Sequence, residues 1–386
     1  MYMFRFMTAG ESHGQGLIAI IDGMPAGIPL SLDAIQEDLA RRQQGYGRGG
    51  RMKIEKDRAE VLSGMRFGET LGSPLTLLIR NKDWVNWEER MSAYGPQSGE
   101  AVTAARPGHA DLTGILKYER EDVRDILERA SARETAARVA VGAVARQLLA
   151  VCGITLASHV IEIGGVKSTV EVKSATELEG LFQRSELACM DPEAETAMKE
   201  AIRQAGIAGD TLGGCFEVLA QGLPPGLGSH VQWDRRLDGR LAAALMSIPA
   251  IKGVELGAGF AYGSLSGRQA HDEIFYQPER GYYRETNRAG GVEGGMSNGE
   301  ALIARAVMKP IPTLMSPLRT VDIRTHQPVE ASTERSDVCA VTAAAVVGEA
   351  MVASVLAEAV LEMFGGACLA DLLANMEQYR ARVARG

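Results

Sequence analysis

The chain has 386 residues, 46% hydrophobic and 23% charged, an ordinary globular balance, and its net charge of −8 argues against general nucleic-acid or membrane-surface binding. Cys152, Cys189, Cys215, Cys339 and Cys368 form no C-x-x-C pair, so neither a disulfide framework nor a zinc site is signalled. The sequence shows no signal-peptide core, its longest apolar run is broken by Glu349, Glu358 and Glu362, and no Pro/Ser linker divides it; one domain over residues 1–386 in a reducing cytoplasm is expected.

Met1 to Ala9 and Leu17 to Ile21 read as strands joined by the turn Gly10-Glu-Ser-His-Gly14. Gly-x-Ser-x-Gly is also the nucleophile elbow of serine hydrolases, which requires strand, sharp turn and helix. Here a strand follows, so a hydrolase built on Ser12 is the weaker alternative. What survives is His13 in a glycine-flanked turn. Ser31 is placed to cap a helix carrying Ile35, Leu39 and Arg42. Residues 41–58 then carry Arg41, Arg42, Arg48, Arg51, Lys53, Lys56 and Arg58 against only Glu55 and Asp57. On a glycine-rich loop this reads as a trap for a small anion, since arginine's fork suits phosphate and carboxylate. An RNA contact is the alternative, short of stacking partners beyond Tyr46.

Leu75 to Ile79 is a further strand, and residues 81–97, with Trp84 and Trp87, read as a mobile polar excursion. Arg106-Pro-Gly-His-Ala-Asp111 sets a second histidine beside an arginine on a tight turn. Ser131-Ala-Arg-Glu134 has the pattern of a capping box opening an alanine-rich helix to about Val151. Arg129 and Arg133 flank that helix start, where the dipole favours an anion. Residues 154–220 read as strands around a charged helix with no chemistry, and Arg236 to Ser247 as another helix. Gly290 to Gly299 is half glycine, a loop that lets something flat or anionic approach its backbone. Glu334-Arg-Ser-Asp337 introduces a long Ala/Val helix stopped by Gly365-Gly366. Val-Gly at 141–142 and at 347–348 hints at an internal duplication. No phosphate-loop lysine motif, dinucleotide fingerprint or metal spacing is present. The residues alone point to a multiply anionic small substrate, His/Asp proton chemistry, and a planar phosphorylated cofactor against the glycines.

Taken together, Gly10–Gly14, Arg106–Asp111, Arg129-Ala-Ser-Ala-Arg-Glu-Thr-Ala136, Ile251-Lys-Gly-Val-Glu255, Gly290–Gly299 and Arg335-Ser-Asp337 resemble chorismate synthase over nearly the whole chain. The resemblance implies an α+β fold, a β-α-β sandwich of antiparallel sheets enclosing central helices, assembled as a homotetramer. It implies conversion of 5-enolpyruvylshikimate 3-phosphate to chorismate by 1,4-elimination of phosphate, with reduced FMN and no net redox change. By the same resemblance His13 stabilises the reduced flavin by proton donation, His109 protonates the departing phosphate, and Asp337 assists proton removal at C6 with the flavin N5. Arg129, Ala130, Ser131, Ala250, Gly294, Lys309, Pro310, Ile311, Pro312, Thr313 and Arg335 match positions lining FMN. Arg42 and Arg48 match NADP or substrate contacts, and Arg51, Arg106 and Arg133 are grouped with them. NADPH then serves as an indirect reductant of a monofunctional enzyme, and no metal, nucleic acid or membrane is expected. Val338 and Thr342 replace two prolines of the family's motif, and Pro249 replaces an asparagine, which puts the backbone around Asp337 and one flavin contact in doubt.

Overall fold

Alternation along the strands decides the first sheet. In a computed structural model describing residues 4–50, 56–334 and 336–384, β1 (Arg5–Ala9), β2 (Gly16–Asp22), β3 (Ala59–Ser63) and β4 (Leu75–Arg80) pair antiparallel in the order β1-β2-β4-β3. Leu17, Ala19 and Ile21 of β2 are buried opposite Ile79, Leu77 and Leu75 of β4, while Ile18 and Ile20 face outward. A one-residue slip would exchange these faces, so the buried side fixes the register. The second sheet contains β5 (Thr155–Ile163), β6 (Val166–Lys167), β7 (Gly214–Gln221) and β8 (Ile251–Leu256). After a short hairpin, β9 (Val292–Glu293) with β10 (Met296–Ser297), it is completed by β11 (Leu302–Met308). Its order is β8-β11-β7-β5-β6, again antiparallel throughout.

The helices longer than one turn among the described residues are α1 (Leu32–Gln43), α2 (Asp111–Tyr118), α3 (Arg124–Ala130), α4 (Thr135–Val151), α5 (Pro192–Ile207), α6 (Leu237–Met246), α7 (Val341–Phe364) and α8 (Leu369–Val383). Helix α4 packs on β2 and β4, α7 packs on β5 and β7, and the two helices pack on each other between the sheets. The α+β sandwich implied by the motifs is therefore what forms. Only Glu358, Glu362 and Met363 of α7 escape burial. This helix is long and apolar enough to cross a membrane, yet 94% of its most apolar window lies inside the protein, as befits a core element. Glycine makes the helix pair possible: a Cβ on Gly142 of α4 would sit 2.3 Å from Cα of Ala350 on α7. One apolar cluster runs from Phe4 to Met376.

Several expectations need correction. No capping box forms at Ser131. Its hydroxyl accepts from the Arg133 amide (3.3 Å), and Glu134 turns instead to Arg138 (2.7 Å). Residues 132–134 make a tight 3-10 turn and the α-helix begins at Thr135. Arg41, counted in the anion trap, points into the core against Glu349 (2.7 Å) and Asp38 (2.8 Å). The segment after β4 is not a bare excursion: Lys82–Asn86 is a 3-10 turn, and Trp87 stacks on His13.

Candidate active site

Six chain segments and the start of α7 converge on a cavity of about 400 Å³. His13 enters from the turn between β1 and β2, and Arg42 and Arg48 come from the end of α1 and the loop after it. Arg106 and His109 come from the turn before α2, and Ser131 and Arg133 from the α3–α4 junction. Pro249 and Ala250 follow α6, Lys309 to Thr313 follow β11, and Asp337 precedes α7, whose first turns supply Ala343, Ala344 and Val347.

Each histidine is tied at Nδ1 to a buried carboxylate. Nδ1 of His13 lies 2.9 and 3.0 Å from the two oxygens of Glu128, which also accept the His13 amide (2.8 Å) and Arg124 (2.6 Å). Burial would raise the Glu128 carboxyl, but hydrogen bonds from His13 and the charge of Arg124 hold it below the usual glutamate range. His109 Nδ1 contacts Asp111 Oδ1. Asp111 is fully buried and accepts the Arg106 amide (3.0 Å), Nε (2.8 Å) and Nη2 (3.1 Å). Burial again opposes ionisation, and hydrogen bonds from His109 and Arg106 override it, leaving Asp111 well below the usual carboxylate range. Because an ionised carboxylate only accepts, the His13 ring carries Nδ1–H, and its other nitrogen, Nε2, is the one free to exchange a proton, whereas His109 Nδ1 faces the Asp111 acceptor and also stands 3.1 Å from Arg106 Nη2. The turn presenting His109 follows from Pro107-Gly108: Gly108 takes φ +80° and the His109 amide reaches the Arg106 carbonyl (3.3 Å), which is type II geometry.

The cavity's charge comes from Arg42, Arg48, Arg106, Arg133 and Lys309, against Glu334 and Asp337. Arg133 is held by Asp57 (2.6 Å) and Asn81 (2.9 Å). Arg42 donates to Thr135 (2.9 Å) and the Ala132 carbonyl (2.8 Å). Its Nη1 is buried with no hydrogen bond among the described residues, 3.7 Å from Asp57. Burial pushes the Arg42 guanidinium down to about 10, with Asp57 opposing and Arg133 and Arg48 adding to the fall. Asp337 accepts from Arg48 (3.0 Å) and the Gly49 amide (2.6 Å). Ala250 holds φ +69°, a left-handed conformation costing a non-glycine residue about 1–2 kcal/mol. Its carbonyl accepts the Lys309 amide (2.9 Å), which joins two walls of the cavity.

A cavity with two carboxylate-anchored histidines and this many cations suits proton chemistry on an anionic substrate, and the comparisons with known proteins say which. The chorismate synthase family model matches residues 4–361. The chain belongs to the chorismate synthase family. Similar curated relatives include chorismate synthase of Moorella thermoacetica, 60% identical over 382 residues, and that of Geobacter metallireducens, 56% identical over 386 residues. Each alignment covers 98% of both chains. A solved crystal structure of chorismate synthase superposes with a TM-score of 0.81 at 43% identity, covering 100% of this chain and 99% of the other. The activity is that of this lyase, in the shikimate route to aromatic compounds.

Of the residues singled out by sequence, His13, His109, Asp337, Ala130, Ser131, Ala250, Lys309, Ile311, Pro312, Thr313, Arg42, Arg48, Arg106 and Arg133 line the one cavity. Arg129, Pro310 and Gly294 do not, and Arg51 and Arg335 lie outside the described residues. Arg129 turns back to the carbonyls of Thr8 (2.9 Å) and Gly10 (3.1 Å), supporting the β1–β2 turn. Gly294 is the first of two left-handed residues (φ +59° and +84°) in the β9–β10 hairpin turn, with open space where a side chain would go. Of the other glycines of that stretch, Gly290 lies against Gly257, Gly291 against Ala301 and Gly295 against Ser229, while Gly299 has open space around it. The serine-hydrolase alternative fails on geometry, since Ser12 is buried, is followed by a strand, and His13 is bound to Glu128. The substituted motif positions are absorbed by local bonding. Val338 donates its amide to the Gly47 carbonyl (2.9 Å), a bond proline could not make, and Thr342 donates to the Leu187 carbonyl (3.3 Å). Sequence reading missed Glu128, Arg124, Asp57 and Asn81, the partners that hold its chosen residues.

Proposed function

We propose that the chain converts 5-enolpyruvylshikimate 3-phosphate to chorismate and inorganic phosphate with reduced FMN as cofactor. The observation that carries this reading is the pair of histidines, each pinned at Nδ1 by a carboxylate, on one cavity with five cations. In the reaction a proton leaves C6, the phosphate leaves C3, and a second ring double bond forms. His109 delivers a proton to the departing phosphate, with Arg106 beside it to offset the phosphate's charge. Asp337, held by Arg48 and the Gly49 amide, assists removal of the C6 proton. His13 holds a proton on the cofactor side. Such acid or base groups each contribute roughly 10²–10⁴-fold.

The residues present suit a flavin mononucleotide. Ala130, Ile248, Ala250, Ile311, Pro312 and Ala343 offer an apolar wall for a planar ring system, while Lys309 and the unsatisfied Nη1 of Arg42 offer cationic donors for phosphate. Reduced FMN, when bound, supplies electron density to the elimination and is regenerated in it. NADPH acts upstream as an indirect reductant. The enzyme works in the cytoplasm as a homotetramer, monofunctional and without metal, nucleic-acid or membrane partners. The test is an anaerobic assay with dithionite-reduced FMN, following chorismate absorbance. Product formation that requires the reduced flavin is expected; a folded protein giving no product overturns the reading.

A further inference from the structure

The side chains behind His13 form a closed support that the reaction as described leaves unassigned. Helix α3 carries Arg124 and Glu128 one turn apart, so both project from the same face. Glu128 is 3% exposed and makes four bonds at once: from the His13 amide, His13 Nδ1, Arg124 Nη1 and, at its own carbonyl, the Ser12 amide (3.0 Å). Across the imidazole, Trp87 stacks at 4.0 Å between ring centroids with planes 26° apart. The Arg124 guanidinium then lies 4.9 Å over the Trp87 ring, closing the circuit. None of Glu128, Arg124 and Trp87 lines the cavity.

We propose that Glu128 is a positioning residue for the reaction, setting the tautomer and rotation of His13 so that Nε2 is the nitrogen available for proton exchange, with Arg124 and Trp87 holding that pair in place. The proposal rests on His13 having the proton-holding role given above. Three observations carry it. A carboxylate offers no donor, so contact with both of its oxygens leaves one assignment for Nδ1, as N–H. The second bond from the His13 amide ties the backbone of the turn to the same carboxylate, so ring and main chain cannot shift independently. The stack on Trp87 fixes the ring plane, the one freedom Glu128 leaves. Packing alone does not account for this, because a buried Arg–Glu pair is costly to desolvate and an apolar pair of similar volume would fill the space at least as stably.

The test is Glu128→Gln, which keeps shape but presents an amide able to donate or accept. Chorismate formation should lose roughly 10–100-fold in kcat with KM for the substrate changed little. In a His13→Ala background the same substitution should cost nothing further, because its effect runs through the missing ring. In ligand-free protein, ¹⁵N NMR of the ring nitrogens, assigned by the signals missing in His13→Ala, should show Nδ1–H in the parent and a tautomer mixture in Glu128→Gln. An equal loss in both backgrounds, or an unchanged tautomer, overturns the proposal. His13→Ala with undiminished kcat overturns the role given to His13 instead, while the NMR signals still decide whether Glu128 sets the tautomer. If Glu128→Gln fails to fold because Arg124 loses its buried carboxylate and keeps only the longer contact to Glu334 (3.4 Å), the pair Arg124→Met/Glu128→Gln removes both charges and is read by the same measurements.

Discussion

His109 depends on Asp111 as His13 depends on Glu128, and the consequences differ because Asp111 also anchors a cavity arginine. Asp111→Asn replaces an acceptor-only carboxylate with an amide that can also donate to the ring, and leaves Arg106 buried against a neutral group. Breaking one half of a buried pair costs about 3–5 kcal/mol, so this variant should lose stability as well as activity, visible as a lower midpoint in urea. His109→Ala should instead lower kcat by roughly 10²–10⁴-fold with little change in stability, since the ring is partly open to the cavity. The pH dependence follows from the direction of the Asp111 shift. A carboxyl held lower in the folded state than unfolded stabilises the fold above its unfolded value, near 3.9, and that stabilisation drains away as pH falls toward the folded value. Thermal melting of the parent should therefore drop more steeply below about pH 4 than that of Asp111→Asn.

Contact between elements turns on individual glycines, and that is where sequence reading was least able to see. Gly142 and Gly348 were noticed as a shared Val-Gly pattern, but their reason is packing: Gly142 lies against Ala350, and a Cβ on Gly348 would sit 2.2 Å from the ring of Phe216. In an isolated helix Gly142→Ala would gain about 1 kcal/mol of propensity. Between α4 and α7 it must push backbone from backbone, and overpacking of this kind costs typically 1–3 kcal/mol or more. The loss wins, so Gly142→Ala should lower the unfolding free energy by about 2 kcal/mol. Gly263→Ala, with open space around the new Cβ, should change it by less than about 0.5 kcal/mol in the same urea titration. The larger elements were legible because their signals are local: short apolar runs ending at turns in β2 and β4, the Ser31 cap of α1, the alanine stripe of α4. Helices α2 and α3 were not, since 8 and 7 residues are too few to repeat an apolar stripe, and α8 buries only Leu372 and Met376. In β11 the buried Leu302, Ala304, Ala306 and Met308 alternate with Ile303, Arg305 and Val307, two of them apolar, so the sequence itself carries no polar alternation. The site divides in the same way. His13, His109, Asp337 and most of the cations stood on recognisable turns, whereas Glu128 and Asp57 become partners only through tertiary contact.

At the scale of the whole molecule, a chain with net charge −8 gathers Arg42, Arg48, Arg106, Arg133 and Lys309 around one cavity of about 400 Å³. Low-dielectric walls concentrate that field on whatever enters, favouring a multiply charged anion. Arg42 shows what this arrangement costs the unliganded protein. Its guanidinium is held down at about 10 chiefly by burial, so below that pH the folded protein carries it charged at a cost the unfolded chain does not bear, and the penalty is fully present at neutral pH. A bound phosphate would supply the missing partner for Nη1. Replacing Arg42 with glutamine should therefore leave the melting temperature of the empty protein unchanged or raised, while weakening the ligand. In the parent, saturation at about 100-fold above Kd should add about 2.7 kcal/mol of stability. In Arg42→Gln the same concentration should add much less. Differential scanning fluorimetry with and without FMN plus 5-enolpyruvylshikimate 3-phosphate makes the comparison. A variant that melts lower when empty, yet keeps the full ligand-induced rise, would mean that Arg42 supports the α1–α4 contact and takes no part in holding the anion.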